Sequence, residues 1–311
     1  MQCILCHSNK VTLKERVRRE DLIALYQRSF GIDIRAILSS DLEYRHCQEC
    51  DLKFFVCEDG SIPTGDDAFY NALNNLPWYY FDEKHEYHYV KNLITSESKV
   101  LEVGCGKAAF ADFLPQKSNY VGLEFSTKAK EMAAKRGISI QNIPIEHYCT
   151  QHSGEFDVSC SFQVLEHVSD PYEFLRAQIV CLKTTRGGAI HNKPSQLIIA
   201  VPSEDSFLRY CVNGILNMPP HHISRFSDKT LHHIAKLFNL RLIEIYHEPV
   251  QPEHREFYKA TMWAKKFLPT PLIDRGLMRK LIGKAGIVGR RLIQIPPNAY
   301  GHTTVAVYEL R

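Results

Sequence analysis

Three groups of residues have the types and the spacing to do chemistry. The first is a pair of cysteine knuckles, Cys3-x-x-Cys6 and Cys47-x-x-Cys50. Four thiolates around zinc make a closed structural site of zinc-ribbon type, with no coordination position left for a substrate. The 40 residues between the knuckles exceed the usual short spacing, so buried free thiols stay open as the other reading. His7, His46 and Cys57 are substitute ligands. The second group is the turn in LEVGCGKAAF, which carries Glu102, Gly104, Cys105 and Gly106 and is answered further on by Glu124. The third is PPHHISRFS (219–227), where His221 and His222 offer a base and Arg225 a cation.

The glycine turn says most about the ligand. A strand that runs into Gly-x-Gly and then a helix lets a ligand approach the backbone and presents the N–H groups of a helix start. An acid at the end of the next strand, here Glu124, is placed to accept from ribose hydroxyls. Read as Gly104-x-Gly106-x-x-Ala109, the turn fits a dinucleotide; read as Glu102-x-Gly104-x-Gly106, it fits S-adenosylmethionine. Charge separates the two. A carboxylate beside the turn repels a pyrophosphate but favours an ammonium and a sulfonium.

LEVGCG, then VGLEFS, then FDVSCSFQVLEHVSDPYEFL resemble the successive motifs of class I S-adenosylmethionine-dependent methyltransferases, over about residues 84–246. The resemblance implies that Glu102, Gly104, Cys105 and Gly106 surround the methionine part of the donor and that Glu124 holds the ribose. It also implies that Phe125 and Ser126 flank the adenosine, with Ile145 and Glu146 near adenine and Gln163 near the donor. Ala108 departs from the many members that carry a third glycine. It adds only a methyl, so donor binding is expected to survive.

The run Gln163-Val164-Leu165-Glu166-His167 is similar to the ubiquinone-type O-methyltransferases and to many small-molecule methyltransferases. Some relatives bind a divalent metal there through Glu-x-x-Glu-His. Gln163 replaces the first of those ligands, and Glu166 and His167 serve equally as helix caps. The Asn/Asp-Pro-Pro-Tyr/Phe loop of amino-methylating relatives is missing, which disfavours base N-methylation. Methyl transfer is a displacement at a carbon already activated by sulfur, and alignment does most of the work. An alcohol still needs its proton removed, and a histidine suits that task. His221 or His222 is therefore expected as the base, with His167 in reserve; the other reading is a loop stiffened by its histidines.

These residues need elements to hold them. Strands are expected at 99–105, 120–126, 138–142, 156–162, 196–203, 240–246 and 303–310, with helical patterns between the first six. Fully apolar strands alternating with helices predict an α/β, Rossmann-like, doubly wound, mainly parallel seven-stranded sheet. Residues 1–60 read as the zinc-ribbon-like module, 61–83 as a linker that includes the aromatic run Trp78 to Phe81, and 84–311 as the methyltransferase domain with insertions at 203–222 and 250–300. The parallel-strand edge beyond 203 is where such folds bind ligands. Cys105, Cys149, Cys160 and Cys181 fall in core elements and read as packing.

Composition bounds the rest. The chain has 311 residues, 44% hydrophobic and 23% charged, with net charge +3 and ten cysteines. That balance excludes disorder, a fibre and a disulfide scaffold. With no apolar run of membrane-span length and no signal peptide, a cytoplasmic protein with reduced thiols is expected. A cysteine-knuckle module on such an enzyme resembles deoxysugar C-methyltransferases on one side and ribosomal RNA guanine methyltransferases on the other. Residues 1–60 hold nine Lys/Arg and ten Asp/Glu, and a module gripping RNA should be basic, so nucleic acid is not the expected partner. Residues 251–300 carry ten Lys/Arg against three Asp/Glu, which allows peripheral contact with an anionic membrane, a phosphorylated acceptor or another subunit. The oligomeric state is left open. The expectation is methyl transfer from S-adenosylmethionine to a small-molecule, sugar or glycan acceptor, on oxygen ahead of carbon, with structural Zn2+. A ribosomal RNA methyltransferase and a non-catalytic donor-binding subunit are the alternatives.

Overall fold

The computed structural model of the chain describes residues 1–73, 75–76, 81–184, 194–211, 214–266 and 289–311. The N-terminal module forms strand β1 (Val11–Val17), helix α1 (Arg19–Phe30), and strands β2 (Leu42–Cys47) and β3 (Lys53–Cys57). Helix α1 buries Leu22, Leu25 and Tyr26 at helical spacing and stops at Gly31, whose left-handed φ of +69° lets its N–H donate to Gln27 O at 3.0 Å. The stretch read as a linker contributes α2 (Asp67–Leu73), whose Phe69 and Leu73 are buried with the module's own apolar residues. Trp78 lies outside the described residues, and Phe81 is exposed.

The rest of the chain alternates as the apolar pattern predicts. After α3 (His85–Val90) come β4 (Val100–Val103), β5 (Tyr120–Leu123), α4 (Thr127–Lys135), β6 (Ile140–Gln141), α5 (Ile145–Tyr148), β7 (Val158–Phe162), α6 (Pro171–Val180) and β8 (Gln196–Pro202). Then follow β9 (Ser224–Arg225), α7 (Asp228–Leu237), β10 (Leu240–Pro249), α8 (Arg255–Lys265) and β11 (Tyr300–Leu310). Seven strands pair in the order β10-β11-β8-β7-β4-β5-β6. Strands β4 to β8 run parallel, and β11 is antiparallel to both neighbours. All of β4 and β7 is buried, as strands covered on both faces must be. The chain winds outward from β4 in one direction and from β7 in the other, and the crevice between them is the switch point where such sheets bind ligands.

Two features differ from the sequence pattern. The segment after the glycine turn is a short 3-10 helix, Ala109–Phe113, rather than an α-helix. Ala108 has a left-handed φ of +55°, and Pro115 bars a longer helix. The second is a four-stranded sheet of order β1-β2-β3-β9. Its last strand comes from beyond β8, pairing Lys53 with Arg225 and Phe54 with Ser224. Of the basic 251–300 stretch, α8 packs through Tyr258 against Phe207 and Leu208, while 267–288 lies outside the described residues. No described helix is long and apolar enough to cross a membrane.

Candidate functional site

A cavity of about 970 Å³ opens at the C-terminal ends of the parallel strands. Its floor is the turn after β4. Gly104 and Gly106 both have positive φ, +71° and +52°. A Cβ on Gly104 would stand 2.5 Å from a methyl of Val164, so neither the dihedral nor the space admits a side chain there. The N–H groups of Gly104 and Cys105 donate to Leu123 O at 2.8 and 3.0 Å, which ties the turn to the end of β5.

Glu124 completes that tie. One carboxylate oxygen accepts from Gly106 N at 2.9 Å, and the other from Phe125 N at 2.7 Å and Ser126 N at 2.9 Å. A carboxylate has about four acceptor sites and three are taken, so capacity remains for one hydroxyl. Ser126 caps α4 by accepting from Ala129 N. Phe125 is 57% exposed at the cavity edge, and Ile145 and Glu146 line the same end. Gln163 follows β7 with a left-handed φ of +59°, and its amide donates to Thr303 Oγ1 at 3.3 Å. Gly104, Cys105, Gly106, Glu124, Phe125, Ser126, Ile145, Glu146 and Gln163 are thus brought to one cavity.

Glu102 is placed elsewhere. It is fully buried under the turn, accepts from Tyr120 OH at 2.6 Å, and is not among the described residues that line the cavity. Burial pushes its carboxyl up to about 8. Side chains alternate along β4, so Glu102 points away from the face of Leu101 and Val103, to the side where Val100, Phe110 and Tyr120 are buried together. The buried carboxyl groups that do line the cavity are Glu86, Glu166 and Glu248, and Glu124 lies at the turn.

The opposite end holds the histidines. His167 follows β7, while His221 and His222 come from the loop ahead of β9, yet their ring centroids lie 4.5 to 4.9 Å apart. Each ring is held by its Nδ1: His167 to His221 O at 2.5 Å, His221 to Leu216 O at 2.8 Å, and His222 to Asn217 Oδ1 at 3.1 Å. Burial lowers all three, His167 to about 4 and the other two well below their ordinary value. Arg225 does not join them. Its guanidinium donates to Asn217 O at 2.7 Å and lies over the rings of Tyr44 and Phe55, so it braces the wall rather than meeting a ligand. Sequence reasoning missed Glu248 and His302, which enter the cavity from the last two strands. Both sit in mixed polar stretches, Tyr246-His247-Glu248-Pro249 and Tyr300-Gly301-His302-Thr303, so no break in an apolar pattern marked them.

The four knuckle cysteines meet in the module. Cys3 and Cys50 sulfurs lie 3.6 Å apart, as do those of Cys6 and Cys47, and all four lie within 4.8 Å of one another. A zinc tetrahedron with 2.3 Å arms has edges of about 3.8 Å, so the donor set fits that ion. Cys105, Cys149, Cys160 and Cys181 are buried.

The family profile described as "Methyltransferase domain" matches residues 78–245. A ubiquinone biosynthesis O-methyltransferase of Psychrobacter cryohalolentis is 27% identical over 174 residues, covering 49% of this chain and 66% of that protein. The enzyme of the same description from Bordetella avium is 25% identical over 128 residues, 37% of this chain and 52% of its own. The match therefore spans between about half and two thirds of these curated relatives. Among solved structures, a possible histamine N-methyltransferase from Thermotoga maritima aligns over 73% of this chain and 88% of its own, with TM-score 0.46 and 19% identity.

Proposed function

Because the chain belongs to the methyltransferase domain family, we propose that it moves the methyl group of S-adenosylmethionine to a hydroxyl of a small molecule. The observation that carries this reading is one cavity with two ends: the glycine turn with Glu124, and the cluster of His167, His221 and His222. Bound at the first end, the donor supplies a methyl carbon on a positively charged sulfur. Glu124 would turn its spare acceptor site to the ribose, and Phe125 and Ser126 would border the adenosine. Gly104 leaves room for the methionine part, and Gln163 stands between the two ends. The histidine end would receive the acceptor hydroxyl and take its proton as the oxygen attacks.

The charge of the cavity narrows the acceptor. Glu86, Glu166 and Glu248 are buried in its lining, and Lys107 is engaged by Asp82 at 2.8 Å. Burial raises Glu166 to about 8 and Glu248 to about 7, and Lys84 is the other lysine among the described lining residues, so the cavity gives a di- or triphosphate few cations to pair with. We therefore favour a neutral hydroxyl on a small molecule or an unphosphorylated sugar or glycan over a nucleotide sugar. Oxygen as the methylated atom agrees with the chain's similarity to ubiquinone biosynthesis O-methyltransferases. The module's cysteines would hold structural zinc in a reducing, cytoplasmic setting. The test pairs calorimetric titration of donor with radiolabelled methyl transfer to a phenol panel, free sugars, nucleotide sugars and RNA. Labelled phenol or free sugar is the expected product; transfer to RNA alone, or no donor binding, overturns the reading.

A further inference from the structure

We propose that Glu86, Glu166 and Glu248 form a cation-accepting subsite within the cavity, which selects a methyl acceptor that carries a protonated amine beside its hydroxyl. The fate of the hydroxyl rests on the methyl-transfer reading; the affinity for an amine does not depend on turnover. Glu166 carries the argument furthest. It is 1% exposed, it lines the cavity, and neither carboxylate oxygen has a hydrogen-bond partner. Nε2 of His167 and of His222 each stand 3.8 Å from its Oε1, beyond hydrogen-bond reach. A buried acid left without a donor is costly, and a ligand that brings N–H groups removes that cost.

The second observation is convergence. Glu86 comes from the first turn of α3, Glu166 from the short helix Leu165–His167 after β7, and Glu248 from β10, yet all three line one cavity. Glu86 and Glu248 are each 4% exposed. Glu248 Oε1 accepts from Thr303 N at 2.8 Å, and Thr303 Oγ1 accepts from the Gln163 amide at 3.3 Å. That chain ties Glu248 to the residue between the donor end and the histidine end. Burial is the main cause that raises Glu166 to about 8 and Glu248 to about 7, and the charge of Glu86 adds to both. Acids that hinder one another's ionisation are eased together by one positive charge.

The third is charge balance. Among the described residues, eight Asp and Glu side chains line the cavity against two lysines and no arginine. Lys107 is engaged by Asp82 at 2.8 Å, and Lys84 lowers Glu166 by less than burial raises it. Among the described residues the three carboxyl groups do not come within 4.8 Å of one another as a set, so they stand too far apart to chelate one metal ion. An organic cation instead puts its N–H donors on Glu166 and leaves Glu86 and Glu248 to act through space. A protonated amine has no lone pair, so it anchors the acceptor while the hydroxyl at the histidine end remains the nucleophile. The acceptor class is an amino alcohol or an amino sugar.

The experiment loads the full chain with S-adenosylhomocysteine and titrates three matched pairs by calorimetry near neutral pH. The pairs are tyramine against 4-ethylphenol, glucosamine against glucose, and ethanolamine against ethylene glycol. At least one amine should bind about tenfold or more tightly than its neutral counterpart. Glu166→Gln and Glu248→Gln should each cut that preference to about twofold or less, with the donor Kd held within about twofold as the sign of an intact fold. No preference for the amine in any pair, or a preference kept in both variants, overturns the subsite. So does a rise of about tenfold in the donor Kd of the variants, which would give these acids to the donor. Radiolabelled methyl transfer to the same compounds is measured alongside. An amine preference without any methyl transfer would overturn the methyl-transfer reading and uphold the subsite.

Discussion

Glu102 and Glu124 end neighbouring strands and have opposite surroundings. Glu124 is held by three backbone N–H groups at the cavity, while Glu102 has one partner, Tyr120, in an apolar core. Burial raises the Glu102 carboxyl to about 8, from 4.5. The folded state therefore keeps its proton where the unfolded chain has lost it. Stability is full below about pH 4.5 and falls as pH rises towards 8, by up to about 1.4 kcal/mol per unit. Glu102→Gln should match the native melting temperature at pH 5 and exceed it at pH 8. Equal curves at both would count against a buried neutral acid. Gly104→Ala should lose about 2 kcal/mol or more in chemical denaturation, from its left-handed dihedral and its clash with Val164. Adding Val164→Ala should recover the clash but not the dihedral. The sequence showed that both acids flank the turn, but not which faces the ligand. A four-residue strand alternates its faces, and only the packed sheet says which face is the cavity.

At the scale of elements, the loop bearing His221 and His222 hangs on the N-terminal module. Phe55 N donates to Ile223 O at 2.9 Å, Tyr26 OH reaches Ile215 O and Met218 O at 3.1 Å, and Lys53 pairs with Glu204 at 2.6 Å. Ser227 donates to Asp51 at 2.6 Å, one residue past the second knuckle. Stripping the zinc proposed for the knuckles, or making Cys47→Ser, should lower kcat/KM at least about tenfold, a loss of some 1.4 kcal/mol. The donor Kd should stay within about twofold, because the glycine turn is built by β4 and β5. An equal loss in both would place the module under the donor end instead. This coupling was not legible in the chain. Ser224 and Arg225 show no alternation of their own, and a two-residue strand exists only by pairing with β3. Arg225 read as a cation for a ligand for the same reason: its true neighbours, Tyr44 and Phe55, are remote in sequence.

For the molecule as a whole, the seven strands of the large sheet were readable in place, most clearly the apolar runs of β4, β7, β8 and β11, although β6 is only Ile140–Gln141. The division into a module, a linker and a domain is less clean in space than in sequence. Phe69 and Leu73 of α2, and Met218 of the loop that bears His221, share one core with Leu22 and Tyr26. Deleting residues 1–60 should therefore yield an insoluble or molten chain rather than a working methyltransferase domain. A soluble deletion that binds donor with native affinity would show the two parts to be independent.

The β3–β9 pairing also sets a timetable for synthesis. Phe54 emerges from the ribosome long before its partner Ser224, with 169 residues between them. At about 5–20 residues per second, translation takes on the order of ten to thirty seconds to supply the missing strand. Throughout that interval β3 is an open edge, the feature that invites wrong pairing with other nascent chains. Zinc captured early by the knuckles would fix the hairpin but leave that edge bare. Cells making this protein quickly, or with slow stretches between codons 55 and 223, should accumulate aggregates seeded by the N-terminal sheet.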